Sequence, residues 1–150
     1  MDQPKLTWYV QLTEENKYSA EDEKYIGTYS LYSPIIAYLR LWNNRYGSEE
    51  VESLRNFALR LSFDSYEDSV FLPFCTMFVG TEELPANVAG KYALFTIPRT
   101  KSISGKKNNG NESENKENYL DFTLKFRVDD KTARIKENDI KNLSIEVVPI

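Results

Sequence analysis

The sequence contains no histidine and only one cysteine among its 150 residues. Serine triads, cysteine–histidine dyads, histidine-ligated metals and imidazole acid–base chemistry therefore lack their usual participant. Carboxylates, lysines and tyrosines remain, but no spacing among them singles out a catalytic pair. We predict that the protein is not an enzyme and that it uses no cofactor.

The single cysteine, Cys75, excludes an internal disulfide bond and any zinc site built from several cysteines. Its neighbours Phe74, Met77 and Phe78 are apolar. Because free cysteine is among the most frequently buried residue types, we predict a thiol that packs in the core.

Long apolar runs are also missing, since none approaches the ~20 residues that a helix needs to span a bilayer. Residues 1–12 have neither a basic start nor an uninterrupted apolar stretch, so a cleaved signal peptide is not expected. The 23 acidic and 19 basic residues are spread along the chain, with a net charge of −4. Direct nucleic-acid binding is not expected without a clustered basic surface. We expect a cytoplasmic or virion-associated protein that has no membrane partner.

The composition is that of a folded protein, with 41% hydrophobic and 28% charged residues. A chain of this length has the usual size of one domain, and we predict a single β-rich domain over residues 1–150. Aromatic residues make up 13% of the chain. Since aromatic side chains favour pleated, half-buried positions, the composition indicates sheet.

Apolar and polar residues alternate with period two in several segments, which is the pattern of half-buried strands. The clearest case is residues 57–63, where Phe57, Leu59, Leu61 and Phe63 share one face. Further strands are predicted at residues 6–12, 91–97, 120–128 and 143–148.

Two other segments have weaker patterns. Residues 70–79 are nearly continuously apolar, which predicts a strand covered on both faces, with Pro73 indicating a bulge or an edge. Residues 82–90 contain Pro85, Asn87 and Gly90 and are predicted to be a connection.

Residues 33–47 fit two interpretations. Ser33 and Pro34 resemble a helix N-cap and first position, and Gly47 is suited to end a helix. The alternative is a strand that ends near Asn43, with leucines on one face and Tyr38, Arg40 and Trp42 on the other. We prefer the strand, because the neighbouring segments are strands and because β-branched and aromatic residues suit a sheet.

Two polar segments are predicted to lie outside the core. Residues 13–24 form a charge run that indicates a solvated loop or a short helix. Residues 101–118 contain one large apolar residue, Ile103, so no core can form within this segment and we expect a flexible polar loop. Such a loop is either a tolerated insertion or a segment that orders on a partner.

Seven or eight short strands with little helix predict two packed antiparallel sheets, an immunoglobulin-like or jelly-roll-like β-sandwich with room for one short helix. The alternatives are a partly open β-barrel and an α+β fold.

Two sets of residues are candidate binding sites. Tyr, Trp and Arg dominate protein-binding hot spots, and such side chains are concentrated at Tyr38, Arg40, Trp42, Arg45 and Tyr46. Carboxylates in one turn supply the oxygen ligands that calcium prefers, which makes a weak candidate of Asp64, Glu67 and Asp68.

The leading functional hypothesis is a non-enzymatic protein-interaction or structural module that works by contact with a protein partner or by self-association. A subunit of a larger, phage-like assembly is one form of it. An alternative is a small acidic inhibitor that binds and blocks a macromolecule such as a nucleic-acid-processing enzyme. A further alternative is a calcium- or glycan-binding module.

Overall fold

The computed structural model describes residues 1–12, 19–21, 27–30, 35–64, 66–127 and 140–150, with side chains described for 1–10, 36–64, 69–127 and 143–150. The strands within these ranges are β1 (Leu6–Leu12), β2 (Ser19–Glu21), β3 (Gly27–Ser30), β4 (Ile35–Asn43), β5 (Phe57–Phe63), β6 (Cys75–Val79), β7 (Glu82–Glu83), β8 (Ala86–Ala89), β9 (Tyr92–Thr96), β10 (Tyr119–Phe126) and β11 (Ile140–Pro149). Two 3-10 helices, η1 (Tyr66–Phe74) and η2 (Lys116–Asn118), complete the elements of these ranges.

The strands form two antiparallel sheets. The six-stranded sheet has the order β2-β1-β4-β10-β6-β7, and the five-stranded sheet has the order β3-β11-β5-β9-β8. Among the described strands the chain changes sheet on either side of β3, β5 and β10, and again between β7 and β8. The predicted two-sheet β-sandwich is confirmed, and the barrel alternative is wrong because each sheet keeps its own edges.

The core lies between the sheets and follows the predicted alternation. Leu59 and Leu61 of β5 are fully buried, as are Leu39 and Leu41 of β4 in the opposite sheet. Apolar side chains from both sheets join one cluster. Aromatic rings also meet across the interface, where Phe63 of β5 and Phe126 of β10 make an edge contact with their centroids 6.0 Å apart.

The strand interpretation of residues 33–47 is confirmed, since residues 35–43 form β4. This strand pairs with β1 on one side and with β10 on the other. A helix here would have left the inner edges of both neighbours without backbone partners. Residues 33 and 34 lie outside the described ranges.

The predicted strand at residues 70–79 is wrong in its first half. Residues up to Phe74 belong to the helix η1, and the strand begins only at Cys75. Pro73 explains the difference, because it has no N–H for a sheet ladder and its fixed φ suits a helical turn. Leu72 of this helix still reaches the core and is fully buried.

The predicted connection at residues 82–90 contains the short edge strands β7 and β8. The chain crosses from one sheet to the other between them, and Leu84 at this crossing is buried. The charge run at residues 13–24 includes β2, which pairs with β1, and the rest of that run lies outside the described residues.

Residues 101–118, hereafter the arm, contact the sandwich. Ile103 is fully buried and forms an antiparallel bridge with Leu54, with backbone hydrogen bonds of 2.9 and 3.0 Å. One apolar side chain therefore anchors this otherwise polar segment to the core. Its flexibility stays a prediction.

In the part of the chain that the structure describes, no helix is long and apolar enough to cross a membrane.

Candidate functional site

The outer face of the six-stranded sheet carries the predicted aromatic and arginine residues. The alternation that sends the leucines of β4 inward turns Tyr38, Arg40 and Trp42 outward. Strand register then fixes their neighbours, because Tyr9 of β1 and Asp121 of β10 both lie opposite Arg40. Further positions of this face are Thr7, Phe78, Tyr119, Thr123 and Lys125.

Arg45 is the centre of an aromatic cluster on this face. Its guanidinium carbon lies 4.5 Å from the ring centroid of Trp42, 4.8 Å from that of Tyr9 and 5.0 Å from that of Tyr46. Its Nε and Nη2 atoms also donate to the backbone carbonyl of Gly110, at 3.2 and 3.1 Å. Planar guanidinium groups stack well on aromatic faces, so Arg45 holds three rings and the arm together.

Arg40 joins β4 to β10 and to the arm. It donates a two-pronged hydrogen bond to Asp121, from Nε at 2.7 Å and from Nη2 at 3.0 Å. Its Nη1 atom lies 3.2 Å from a carboxylate oxygen of Glu112, and its guanidinium lies 4.1 Å from the Tyr119 ring centroid. Such paired geometry restrains the side chain more than a single contact does.

Trp42 does not provide the exposed contact that the hot-spot hypothesis needs. It is fully buried, yet it lies outside the main core cluster. The Tyr119 ring packs on it at a centroid distance of 4.8 Å, and Arg45 covers it as described. Trp42 is therefore the floor of a small second cluster on the outer face.

Tyr38 and Tyr46 are the exposed members of the predicted set, with 38% and 65% of their surface accessible. Tyr46 has a φ of 61°, a left-handed conformation that is uncommon for a bulky residue and costs about 1–2 kcal/mol. Its ring lies directly over Gly110, where a Cβ atom would come within 2.0 Å of the Tyr46 Cε1 atom.

Buried asparagines attach the arm to the end of β4. Asn44 is 3% exposed, and its Nδ2 atom donates to the backbone carbonyls of Glu49 and Gly105, at 2.7 and 3.0 Å. Asn118 is 1% exposed and donates to the carbonyl of Asn43 in β4 at 3.5 Å, and to those of Ser104 and Lys106 within the arm at 3.1 and 3.0 Å. Because backbone carbonyls buried without partners are costly, these amides hold the arm in place.

The carboxylates of the calcium candidate are only partly described. Asp64 is exposed at the end of β5, while Glu67 and Asp68 lie in η1 with side chains outside the described set. Among the described residues, there is no group of three side chains suited to hold a metal ion. The calcium site stays a prediction.

Cys75 is buried at 4% exposure, as its apolar neighbours predicted. Burial raises the pKa of its thiol from an ordinary value near 9.0 to about 12, because the charged thiolate is poorly solvated in the core. The thiol is therefore neutral and packs as a small apolar group.

Sequence reasoning missed three members of the outer-face cluster, namely Tyr9, Glu112 and Tyr119. The alternation in β1 and β10 gives a signal for the two tyrosines, since it places each of them on the outer face of its strand, while the apolar residues of that strand face inward. Glu112 left no signal, because its approach to Arg40 depends on the path of the arm.

Comparisons with known proteins give no family. No protein-family model and no curated protein matches this sequence. A solved structure, the crystal structure of a β-1,2-glucanase from Parabacteroides distasonis, aligns with 98% of this chain at 8% identity and a TM-score of 0.40. The alignment covers 23% of the glucanase, so this chain spans less than a quarter of that protein, and the likeness carries no argument about function.

Proposed function

We propose that the protein is a non-enzymatic interaction module that contacts a protein partner through the outer face of the six-stranded sheet. The observation that supports this most is Tyr46, which is highly exposed and is held in a strained conformation by the arm. Strain of this kind at an exposed aromatic residue is typical of binding positions.

The aromatic face is built to bind without reorganisation. Tyr38 on β4 and Tyr46 just beyond its end are the exposed tyrosines of this face, and the buried Trp42 lies between them in the chain. Tyrosine presents a large amphipathic surface at a small entropy cost, and the arginines beneath are already fixed by Asp121 and Glu112. A preorganised surface loses less free energy on association than a mobile one.

The finer form of the proposal is a subunit that self-associates in a larger, phage-like assembly. The acidic-inhibitor alternative is supported less by this face, because Arg40 and Lys125 alternate with Asp121 and Glu112 there. A mimic of nucleic-acid phosphates needs a surface whose charges are predominantly negative.

The test is size-exclusion chromatography with light scattering over a concentration series, in low and high salt. We expect wild-type protein to associate and the double variant Tyr38→Ser/Tyr46→Ser to stay monomeric. Tyr92→Ser on the opposite sheet is the matched control and should associate like wild type.

A wild-type monomer at every concentration rejects the assembly form. The proposal then predicts that the partner is a different protein. Immobilised wild-type protein should retain this partner, and the immobilised double variant should not. Equal retention by both would reject the proposed surface.

A further inference from the structure

A second surface feature lies on the opposite side of the molecule, on the outer face of the five-stranded sheet. It is an open cleft of about 380 Å³, within the range of small-ligand sites. Six of the residues that line it carry the argument: Arg60, Ser62, Asp64, Tyr92, Ser144 and Glu146.

Strand register explains why a cleft forms here. Ser62 of β5 lies opposite Ser144 of β11. Arg60 lies opposite Glu146, two residues further along the same two strands and on the same face. Two small side chains beside two long ones leave a depression over the serines. Tyr92, at the start of β9, is half-buried and forms a wall of the cleft.

Arg60 and Glu146 are held in a fixed arrangement at the rim. The Nε and Nη2 atoms of Arg60 both donate to Oε1 of Glu146, the first at 2.7 Å, and the guanidinium lies 4.6 Å from the Tyr92 ring centroid. Within the described part of the chain, Nη1 of Arg60 and Oε2 of Glu146 take part in no hydrogen bond. A fixed donor and a fixed acceptor thus lie side by side, next to a pair of serines on the same two strands.

We propose that this cleft binds a neutral sugar residue of a glycan. Neighbouring sugar hydroxyls each donate and accept, which matches an adjacent guanidinium, carboxylate and pair of serines. The apolar C–H groups of a sugar ring need an apolar surface, and the partly exposed Tyr92 supplies it.

Charge decides between a neutral ligand and an anionic one. Arg60 is already paired with Glu146, and Asp64 adds a second carboxylate to the lining. A phosphate or a carboxylate would have to compete with Glu146 for Arg60, so an uncharged ligand is favoured.

The experiment is an NMR titration of the ¹⁵N-labelled protein with neutral cello-, malto-, xylo-, manno- and chito-oligosaccharides. We expect at least one of them to shift the amide signals of β5, β9 and β11. Tyr92→Ala and Arg60→Met should each weaken that binding by about tenfold or more, which corresponds to about 1.4 kcal/mol. Arg99→Met, at an exposed arginine outside the cleft, is the matched control for Arg60→Met and should bind as wild type does.

Two further measurements keep the result unambiguous if a variant is poorly folded. Ser144→Asn fills the floor while preserving hydrogen-bonding capacity, and it should abolish binding with an otherwise native spectrum. Inorganic phosphate and oligogalacturonate test the charge argument on wild-type protein. The proposal is overturned if no neutral sugar shifts these signals at about 10 mM, a concentration that detects even millimolar affinity, or if the two anions bind the cleft more tightly than every neutral sugar.

Discussion

Tyr46 and Asn108 are joined by a hydrogen bond in which the backbone N–H of Tyr46 donates to Oδ1 of Asn108 at 3.1 Å. The same oxygen accepts from the backbone N–H of Gly110 at 2.9 Å, and Nδ2 of Asn108 donates to the carbonyl of Asn44 at 2.7 Å. One side chain of the arm therefore fixes the left-handed backbone that follows β4. The position of the most exposed tyrosine on the proposed binding face depends on a segment about sixty residues away in sequence.

Two glycines separate the effect of backbone strain from that of the Tyr46 contact. Gly90 and Gly110 both have positive φ, 59° and 77°, but only Gly110 is close to another side chain, the Tyr46 ring. We expect Gly90→Ala to lower the free energy of unfolding by about 1–2 kcal/mol. Gly110→Ala should lose about 1 kcal/mol more, because it also displaces Tyr46 from its stack on Arg45. Urea denaturation of both variants measures the difference.

The double variant Gly110→Ala/Tyr46→Ala is the control for that contact. Once the ring is gone, the excess cost of Gly110→Ala should disappear. If the excess persists, the clash with Tyr46 is not its cause.

Asn44 is predicted to be essential for attachment of the arm. Asn44→Ala removes the amide that serves the carbonyls of Glu49 and Gly105, and buried carbonyls without a donor cost about 1–3 kcal/mol. Alanine also fits poorly at the φ of 60° found here. Asn44→Gly tolerates that φ, so it should lose less stability than Asn44→Ala, and the difference measures the strain. Thermal and urea unfolding are the measurements, with the exposed Asn87→Ala as a control that should change little.

The register of β8 predicts unequal losses of stability for proline at two adjacent positions. The Thr96 N–H donates to the Pro85 carbonyl, and antiparallel pairs alternate, so Asn87 is in a hydrogen-bonded pair with Leu94 while the Val88 N–H faces the free edge. Val88→Pro should therefore cost less than about 1 kcal/mol, whereas Asn87→Pro should cost about 3 kcal/mol. Amide hydrogen exchange gives an independent reading, with Asn87 protected and Val88 fast. Equal costs would show that the register is different.

Cys75 should make stability depend on pH in the alkaline range. The pKa is raised in the folded state, so the neutral thiol is favoured by folding, and its contribution is complete below pH 9.0. That contribution is lost as the pH rises from 9.0 towards about 12, at about 1.4 kcal/mol per pH unit, because only the unfolded state ionises there. Cys75→Ala should lack this slope, and the difference between the two curves removes the effects of lysine and tyrosine.

The folded thiol should also resist alkylation at pH 8, a prediction that rapid labelling would refute.

The strands were predictable wherever one face is buried and the other is solvated. This holds for β5 and β10, whose alternation directly gave the buried set that includes Leu61 and Phe122. It fails for η1, where a continuous apolar run ending in Phe74 has no alternation to distinguish a strand from a helical turn. It also fails for β8, because its four residues are all exposed and this strand therefore has no buried face to mark it.

The strand residues of the candidate binding face were predictable from the sequence, but the degree to which each of them is buried was not. The alternation in β4 places Arg40 and Trp42 on the outer face, but it does not show that Tyr119 and Arg45 cover Trp42. The covering groups come from a distant strand and from a turn with a left-handed residue. The cleft beside Arg60 was missed for a similar reason, since it depends on register between β5 and β11, which a single sequence does not specify.

The arrangement of strands around β4 also has a consequence for synthesis of the chain. Arg40 of β4 meets Asp121 across 81 residues, and Arg60 of β5 meets Glu146 across 86 residues. The β8–β9 hairpin needs only the two-residue turn between Ala89 and Tyr92, so it can form as soon as it leaves the ribosome. The leucine-bearing faces of β4 and β5 emerge much earlier than the strands that complete their sheets. In that interval the nascent chain exposes unpaired strand edges, and that is when it is most prone to aggregate or to need a chaperone.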